Sequence, residues 1–132
     1  MPIDIRQPTL HNPPMPSAVV YFQIATADPA AARDFYSQLF DWDFSSGAGP
    51  TPITINPKGP ADFDPKGSFF QLAPGAAPFI TLFVRVEDLQ STVAKAEELK
   101  ARVVVPITQV AGGTHLAVIS TPEGHSIGIV QA

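Results

Sequence analysis

Two segments of the chain share one pattern of hydrophobic and polar positions. Residues 19–40 and 78–100 each begin with an apolar stretch typical of a strand, pass through an aspartate, and then carry apolar residues at helical spacing. The aspartates, Asp28 and Asp88, lie 60 positions apart and are suited to cap a helix. Pro29 follows the first of them at the start of the helix, where its missing N–H costs nothing. The pattern predicts one strand and one amphipathic helix in each half.

Each predicted helix carries an apolar stripe that should face the rest of the protein. The stripes consist of Ala32, Phe35, Leu39 and Phe40 in the first helix and of Leu89, Val93, Ala96 and Leu99 in the second. We interpret the aromatic residues of the first helix, with Trp42 just beyond it, as packing residues and not as a cofactor site.

Three further strands are predicted after each helix. The first half has a weak strand near Trp42–Phe44, then "TPITIN" and "GSFFQL"; the second has "ARVVVPITQV", "THLAVIS" and "HSIGIVQ". Pro106 interrupts the first strand of the second set, so an edge position or a bulge is expected there. The order strand, helix, three strands occurs twice. It predicts an α+β fold of two βαβββ modules in tandem, forming curved mixed sheets around a cleft with the helices outside.

A second internal match precedes the last strand of each half. "DPKGSFFQLA" and "TPEGHSIGIV" each contain a Pro-x-Gly turn followed by a strand, and their glycines, Gly67 and Gly124, lie 57 positions apart. We attribute the difference from 60 to a change in loop length. The sequence "TPEG", with proline second and glycine last, predicts a type I turn.

Chain length and proline content suggest how the domain is delimited. Residues 1–17 are rich in proline and predict a loose arm. Residues 18–132 are expected to form a single domain, with module one at about 18–75 and module two at about 78–132.

Composition excludes several classes of function. The net charge of -4 argues against electrostatic nucleic-acid binding, which needs clustered Lys and Arg. The chain has no cysteine, so disulfides, thiolate chemistry and Cys-ligated metals are excluded. No apolar run approaches the roughly 20 residues of a membrane span. The N-terminal residues lack the apolar region of a signal peptide, and a cytoplasmic location is therefore expected.

The C-terminal segment "GTHLAVISTPEGHSIGIVQA" gathers polar residues that could suggest catalysis or a metal site. These residues are His115, Ser120, Glu123, His125 and Ser126. Strand alternation places His115 on the same face as Ala117 and Ile119, whereas Leu116 and Val118 lie on the other. His125 is in phase with residues that should pack toward the helices, and no nucleophile, base and orienting acid come together. We interpret the segment as a β-hairpin.

The whole arrangement resembles the vicinal oxygen chelate superfamily, which includes glyoxalase I, bleomycin-resistance proteins and extradiol dioxygenases. The resemblance covers residues 18–132 and rests on "ATADPAAARDFYSQLFDWDF", "FVRVEDLQSTVAKAEEL" and "VAGGTHLAVISTPEGHSIGIVQ" in this order. The sequence is most similar to the glyoxalase-like branch, whose first strand carries an aromatic residue in place of histidine.

The resemblance also identifies where a metal would be bound. Metal-dependent members use one residue from the first and last strands of each module, and these positions correspond here to Tyr21, Gln71, Thr81 and Gly128. Gln71 is the one ordinary oxygen donor in this set, whereas a divalent site needs three or four good donors. We therefore expect no bound metal and no cofactor, and glyoxalase I or dioxygenase chemistry is not expected.

The superfamily geometry implies which residues line the cleft. They are Tyr21, Gln23, Phe69, Gln71, Thr81, Phe83, Arg85 and Ser126. Such an aromatic, weakly polar lining suits a flat or apolar small molecule. Arg85 could bind a carboxylate or phosphate, or simply be solvated at the strand end. Gly128, with no side chain, should leave room in the cleft.

Three functions remain open from the sequence. The first is a metal-independent binder of a small apolar or aromatic molecule. The second is an enzyme of the superfamily, of lyase, isomerase or dioxygenase type, with a remodelled site. The third is a structural or regulatory partner without ligand. The resemblance also implies a homodimer, and open sheet edges agree with this because an uncovered edge invites pairing.

Overall fold

Each half of the chain folds as a strand, a helix and three further strands, which confirms the predicted order. The computed structural model describes residues 17–45 and 52–132, so the predicted N-terminal arm, apart from Ser17, lies outside the described residues, as do residues 46–51. The first module comprises β1 (Val19–Thr26), α1 (Pro29–Leu39), β2 (Asp43–Ser45), β3 (Thr54–Asn56) and β4 (Lys66–Gln71). The second comprises β5 (Phe79–Val86), α2 (Leu89–Glu98), β6 (Arg102–Gln109), β7 (His115–Ser120) and β8 (Ser126–Gln131).

The eight strands form one open mixed sheet in the order β2-β3-β4-β1-β5-β8-β7-β6. In each module the first and last strands are parallel, and the antiparallel pair β1–β5 joins the modules. Phe22 pairs with Leu82, and the two positions are 60 residues apart. An approximate twofold axis therefore passes through this pair and relates the two modules. The α+β class is confirmed.

Both helices begin at the aspartates that the sequence indicates. The carboxylate of Asp28 accepts a hydrogen bond from the N–H of Ala31 at 3.1 Å, and that of Asp88 accepts one from Ser91 at 3.2 Å. Each bond satisfies a backbone donor that the first helical turn leaves unpaired. Helix α1 lies over β2 and β4, and α2 lies over β6, β7 and β8. We call the helix-covered face of the sheet the outer face and the opposite one the inner face.

The predicted stripe of α1 is wrong in its details. Phe35 and Leu39 are 58% and 57% exposed, whereas the ring of Tyr36 stacks on Phe69 and Trp42 with centroid separations of 6.1 and 5.6 Å. A tyrosine ring can bury its apolar body while its hydroxyl stays near water, so apolar spacing alone misplaced the buried side. The role of Trp42 in packing is confirmed.

Helix α2 matches its predicted stripe more closely. Leu89 is buried in the core of module two, and Val93 and Ala96 pack against that core. Leu99 is the exception, because it lies beyond the last helical residue and is 62% exposed.

The strand β6 lies at an edge of the sheet, and its pairing with β7 shifts register on either side of Val105. This confirms the expectation based on Pro106. The turn before β8 is closed by a bond from the N–H of Gly124 to the carbonyl of Thr121 at 2.8 Å, as the "TPEG" sequence predicts. Within the described ranges, no helix is long and apolar enough to cross a membrane.

Candidate ligand-binding cleft

A cavity of about 610 Å³ lies on the inner face, where the two modules meet. Module one contributes Tyr21, Gln23 and Ser68, and module two contributes Phe83, Leu116 and Val130. Pro52, Val110 and Thr114, from the connections beside the outer strands, line the same cavity. Residues of both modules therefore line one cavity on the inner face of a single open sheet.

Two aromatic residues form the floor of this cleft. Tyr21 on β1 pairs with Phe83 on β5, and directly paired residues of antiparallel strands point to the same face. The ring centroids are 5.7 Å apart with an interplanar angle of 78°, an edge-to-face contact. Tyr21 is half-buried and Phe83 is buried. The pair presents apolar ring surface together with one phenolic hydroxyl.

Gly128 does not leave an empty space beside the floor. It pairs with Phe83 on the neighbouring strand, and a Cβ atom at position 128 would overlap the ring of Phe83. The room predicted from the missing side chain is therefore filled by this ring. The absence of a side chain at position 128 allows the Phe83 ring to pack against β8 at this position.

The prediction that Phe69 and Gln71 face the cleft is wrong. They pair with Ile24 and Thr26, one residue out of phase with Tyr21 and Gln23, and the ring of Phe69 stacks on α1. The error came from aligning the two turn glycines, 57 positions apart. The strands β4 and β8 keep the 60-residue offset of the caps, and a difference of three positions moves every side chain to the other face.

On the outer side of the sheet, Gln71 has a structural partner. Its amide nitrogen donates to the carbonyl of Ala27 at 2.8 Å, just before α1. Gln131, 60 positions later, donates to Glu87 and accepts from the N–H of Leu89, just before and at the start of α2. In both modules, therefore, the side chain of a glutamine at the end of the last strand bonds to the backbone at the start of the helix.

Thr81 and Ser126 lie on the inner face but hydrogen-bond to each other. Their hydroxyl oxygens are 2.7 Å apart, and Thr81 is buried. Ser126 begins β8 and lines a different cavity, at the end of the sheet, together with His125. Arg85 is exposed near the other end of β5 and does not line the cavity of Tyr21. A common cavity thus contains Tyr21, Gln23 and Phe83, but not Arg85 or Ser126, because the latter two lie toward opposite ends of the strands.

His125 lies in the turn before β8, outside the cavity of Tyr21. Its side chain is 71% exposed, and its Nδ1 is 3.8 Å from the carboxylate of Glu123, which is also exposed. This placement agrees with the predicted hairpin. Neither residue is in a position to act on a molecule bound beside Tyr21.

Sequence reasoning missed three central lining residues: Ser68, Leu116 and Val130. Ser68 was lost through the shifted phase of β4. The other two carried a usable signal, because Leu116 pairs with Val130, and Val130 is in phase with Gly128. The alternation that places Ser126 and Gly128 on the inner face of β8 also places Val130 there, and pairing β8 with β7 adds Leu116.

The residues present do not fit the metal site of the superfamily. Gln71 lies on the opposite face, Thr81 is engaged by Ser126, and the space at Gly128 is filled by Phe83. In the part of the chain that the structure describes, no three residues among His, Asp and Glu come together as a metal site would require.

Comparison with known proteins agrees with this fold. The family model of the glyoxalase-like domain matches residues 20–130 of this chain. CFP32 of Mycobacterium tuberculosis, named as a candidate glyoxylase, is 22% identical over 116 residues; these cover 85% of this chain and 44% of that protein. The chain thus spans less than half the length of this curated relative.

Solved structures show the same fold at low identity. Methylmalonyl-CoA epimerase from Mycobacterium tuberculosis has a TM-score of 0.62 at 17% identity, covering 93% of this chain and 92% of its own. The epimerase of Streptomyces coelicolor in complex with 2-nitronate-propionyl-CoA has a TM-score of 0.62 at 12% identity, covering 88% and 97%. The repeated βαβββ order and the match over most of the chain lead to one conclusion: the protein belongs to the glyoxalase-like domain family, within the vicinal oxygen chelate superfamily.

Proposed function

We propose that the protein binds a small, largely apolar or aromatic molecule in the cleft between its modules, without a metal. The observation that supports this most is the cavity of about 610 Å³ floored by Tyr21 and Phe83. Its volume lies in the range of small-molecule sites, and its lining is mainly apolar with a few neutral polar groups. Gln23, Ser68 and Thr114 supply these groups and would orient the ligand.

The test is a thermal-shift screen of flat aromatic compounds. A ligand that binds the native state must raise the melting temperature, and hits are then titrated against variants. Phe83→Ala should weaken binding about tenfold or more, since it removes an aromatic face. His125→Ala is the matched control and should leave affinity within a few-fold. A hit whose affinity is unchanged by Phe83→Ala would contradict the proposal. A screen without any hit would favour the third function, in which this protein is a structural or regulatory partner and binds no ligand.

An enzyme with a remodelled site is the second candidate. It is favoured by the solved structures of similar fold, several of which are epimerases. Within the described residues, however, Tyr21 is the one titratable side chain that lines the cavity of about 610 Å³, and the charged groups of Asp43 and Lys66 beside it form ion pairs with Lys58 and Asp64. Proton transfer there would have to use a phenol, which is rarely a base near neutral pH. Binding is therefore the better supported function.

Metal independence is tested by elemental analysis of the purified protein. We expect no stoichiometric divalent metal and a melting temperature that chelators leave unchanged, since folding is not coupled to a metal site. Nearly one nickel, zinc, iron or manganese ion per chain, retained through mild chelation, would contradict this expectation.

We also propose a homodimer formed through the outer face between the helices. In the described part of the chain, the helices make their main sheet contacts with β2, β4, β6, β7 and β8, to either side of the β1–β5 pair. The apolar side chains of Ile80, Leu82 and Val19 are 56%, 43% and 43% exposed there. Exposed apolar patches of this kind mark interaction sites. A second copy could contact this patch with the same patch of its own, as in an isologous interface.

A further inference from the structure

The inner face of module one is polar along β2, β3 and the first half of β4. Pairing of Ser68 with Gln23, of Thr54 with Ser68, and of β2 with β3 assigns these side chains to the same face as the cleft. They are Asp43, Ser45, Thr54, Asn56, Lys66 and Ser68. A second cavity of about 450 Å³ lies against most of them. We call this surface the polar wall.

The polar wall carries charges, but they are paired within the protein. The ammonium group of Lys66 lies 2.6 Å from the carboxylate of Asp64 and 3.0 Å from the side-chain oxygen of Asn56. Lys58 lies 3.1 Å from Asp41 and 3.8 Å from Asp43. A charged ligand would have to displace these partners. The side-chain oxygen of Asn56 also accepts from the N–H of Lys58, and the hydroxyls of Ser45 and Thr54 bond to each other. Neutral groups of a ligand could bind to the amide nitrogen of Asn56 and to the hydroxyl lone pairs without breaking the ion pairs.

Module two presents the opposite character on the same inner face. Val118 pairs with Gly128 and with Val105, and Leu116 pairs with Val130. Together with Phe83 these side chains form a surface that we call the apolar wall. Val105 is 37% exposed, so the difference between the walls is not a simple result of burial on one side. Equivalent parts of two related modules have thus acquired different chemistry.

Tyr21 lies where the two walls meet. It lines both the cavity of about 450 Å³ against the polar wall and that of about 610 Å³ against the apolar wall. Its ring contacts Phe83 on one side, while Lys66 is its strand neighbour on the other. A molecule lying across Tyr21 would therefore touch both surfaces.

We infer that the cleft takes an amphipathic molecule whose flat apolar part lies against the apolar wall and whose neutral, hydroxyl- or amide-rich part lies against the polar wall. This inference rests on the proposed binding function and adds the chemical class of the ligand. An aromatic compound carrying a sugar-like group has this chemistry. A purely apolar compound would occupy half of the site.

Two probes that share an aromatic part test the inference. They are 4-nitrophenyl β-D-glucopyranoside and 4-nitroanisole, in which a methyl group replaces the sugar. Calorimetric titration of the whole chain should show the glucoside binding about tenfold more tightly, as expected for a few neutral hydrogen bonds. Asn56→Leu or Thr54→Val should reduce this ratio to about threefold or less. Thr92→Val, on α2, is the control and should preserve it.

The apolar wall is tested with the same probes. Leu116→Ala should weaken both by a similar factor of about five, because both lose the same contact. Suppose that 4-nitroanisole binds and that its affinity depends on Leu116. If the sugar then adds no affinity, or adds affinity that both polar-wall variants retain, the inference is overturned and the binding function stands. If neither probe binds the wild-type protein, both are overturned. Two polar-wall variants are used so that misfolding of one leaves the other as a test.

Discussion

The ring of Phe83 owes its position to the missing side chain at Gly128. The two residues are paired neighbours, and the ring occupies the space that any larger residue at position 128 would need. Tyr21 then contacts this ring edge to face. Three residues on three neighbouring strands thus define the floor of the cleft.

Gly128→Ala should therefore disturb both stability and binding. The added methyl group forces the Phe83 ring toward the cavity, and overpacking of this kind costs about 1–3 kcal/mol of unfolding free energy. Chemical denaturation measures the loss, and titration with 4-nitroanisole should show weakened binding. Ser68→Ala, at the equivalent position of module one, is the control for stability and should change it much less. Equal stability of Gly128→Ala and wild type would contradict the packing described for Phe83.

At the level of strands and helices, the two terminal glutamines connect the sheet to the helices. Gln71 and Gln131 each reach the backbone just before a helix, and each lies at the last residue of its strand. Such bonds satisfy carbonyl groups at the point where the chain turns sharply. The role assigned to Gln71 is therefore structural, in contrast to the ligand-binding role that its sequence position implied.

Gln71→Leu separates these two roles. Loss of the bond to Ala27 should lower the unfolding free energy by about 1 kcal/mol. The affinity of the cleft for 4-nitroanisole should stay within about twofold, because the side chain lies on the outer face. A variant with unchanged stability and strongly reduced affinity would contradict the structural role and indicate that Gln71 contacts the ligand.

The polar wall offers a test through pH. The hydrogen bond from Lys66, together with one from the N–H of Gly59, holds the pKa of the Asp64 carboxyl below its ordinary value of 3.8. The ionised form is favoured in the folded protein, so its stabilising contribution is present above the ordinary pKa and is lost as the pH falls through the lowered one. A carbon-13 NMR titration should show this low pKa. Lys66→Met should move it back toward 3.8, and an identical pKa in both proteins would contradict the pairing.

How much of this could be predicted depends on the range of the interactions involved. Helix caps are local, so Asp28 and Asp88 followed from the sequence, whereas the inner positions of Tyr21 and Phe83 were what the resemblance to the superfamily implied. The face of Phe69 depends on the register between β1 and β4, which are separated by 40 residues in the chain. The exposure of Phe35 depends on how α1 settles on the sheet. Neither quantity is encoded in a short segment.

For the whole molecule, the twofold relation of the modules accounts for the position of one central site on each face of the sheet. On the outer face it leaves the apolar patch of Val19, Ile80 and Leu82 between the helices. On the inner face it brings the polar wall and the apolar wall together. The repeated βαβββ order gives a symmetric scaffold, and the differences between the two modules give the cleft its chemistry. The proposed dimer and the proposed ligand site therefore use opposite surfaces of the same β1–β5 junction.

Leu82→Lys should disrupt the dimer without closing the cleft. A charge in the middle of an apolar interface is strongly unfavourable unless it is paired, whereas Leu82 on a free surface would tolerate it. Multi-angle light scattering at micromolar concentration should report a dimer for the wild type and a monomer for the variant. Phe63→Lys changes an exposed apolar residue outside the patch of Val19, Ile80 and Leu82, and this control variant should remain dimeric. A monomeric wild-type protein would end the dimer proposal.

The central claim is that the inner face between the modules is the ligand site, and a crystallographic fragment screen tests it most directly. Crystals soaked with small aromatic compounds should show them gathered beside Tyr21 and Phe83, with polar substituents directed toward Thr54 and Asn56. Fragments that instead collect elsewhere, with the inner cleft closed by the rings of Tyr21 and Phe83, would contradict the account.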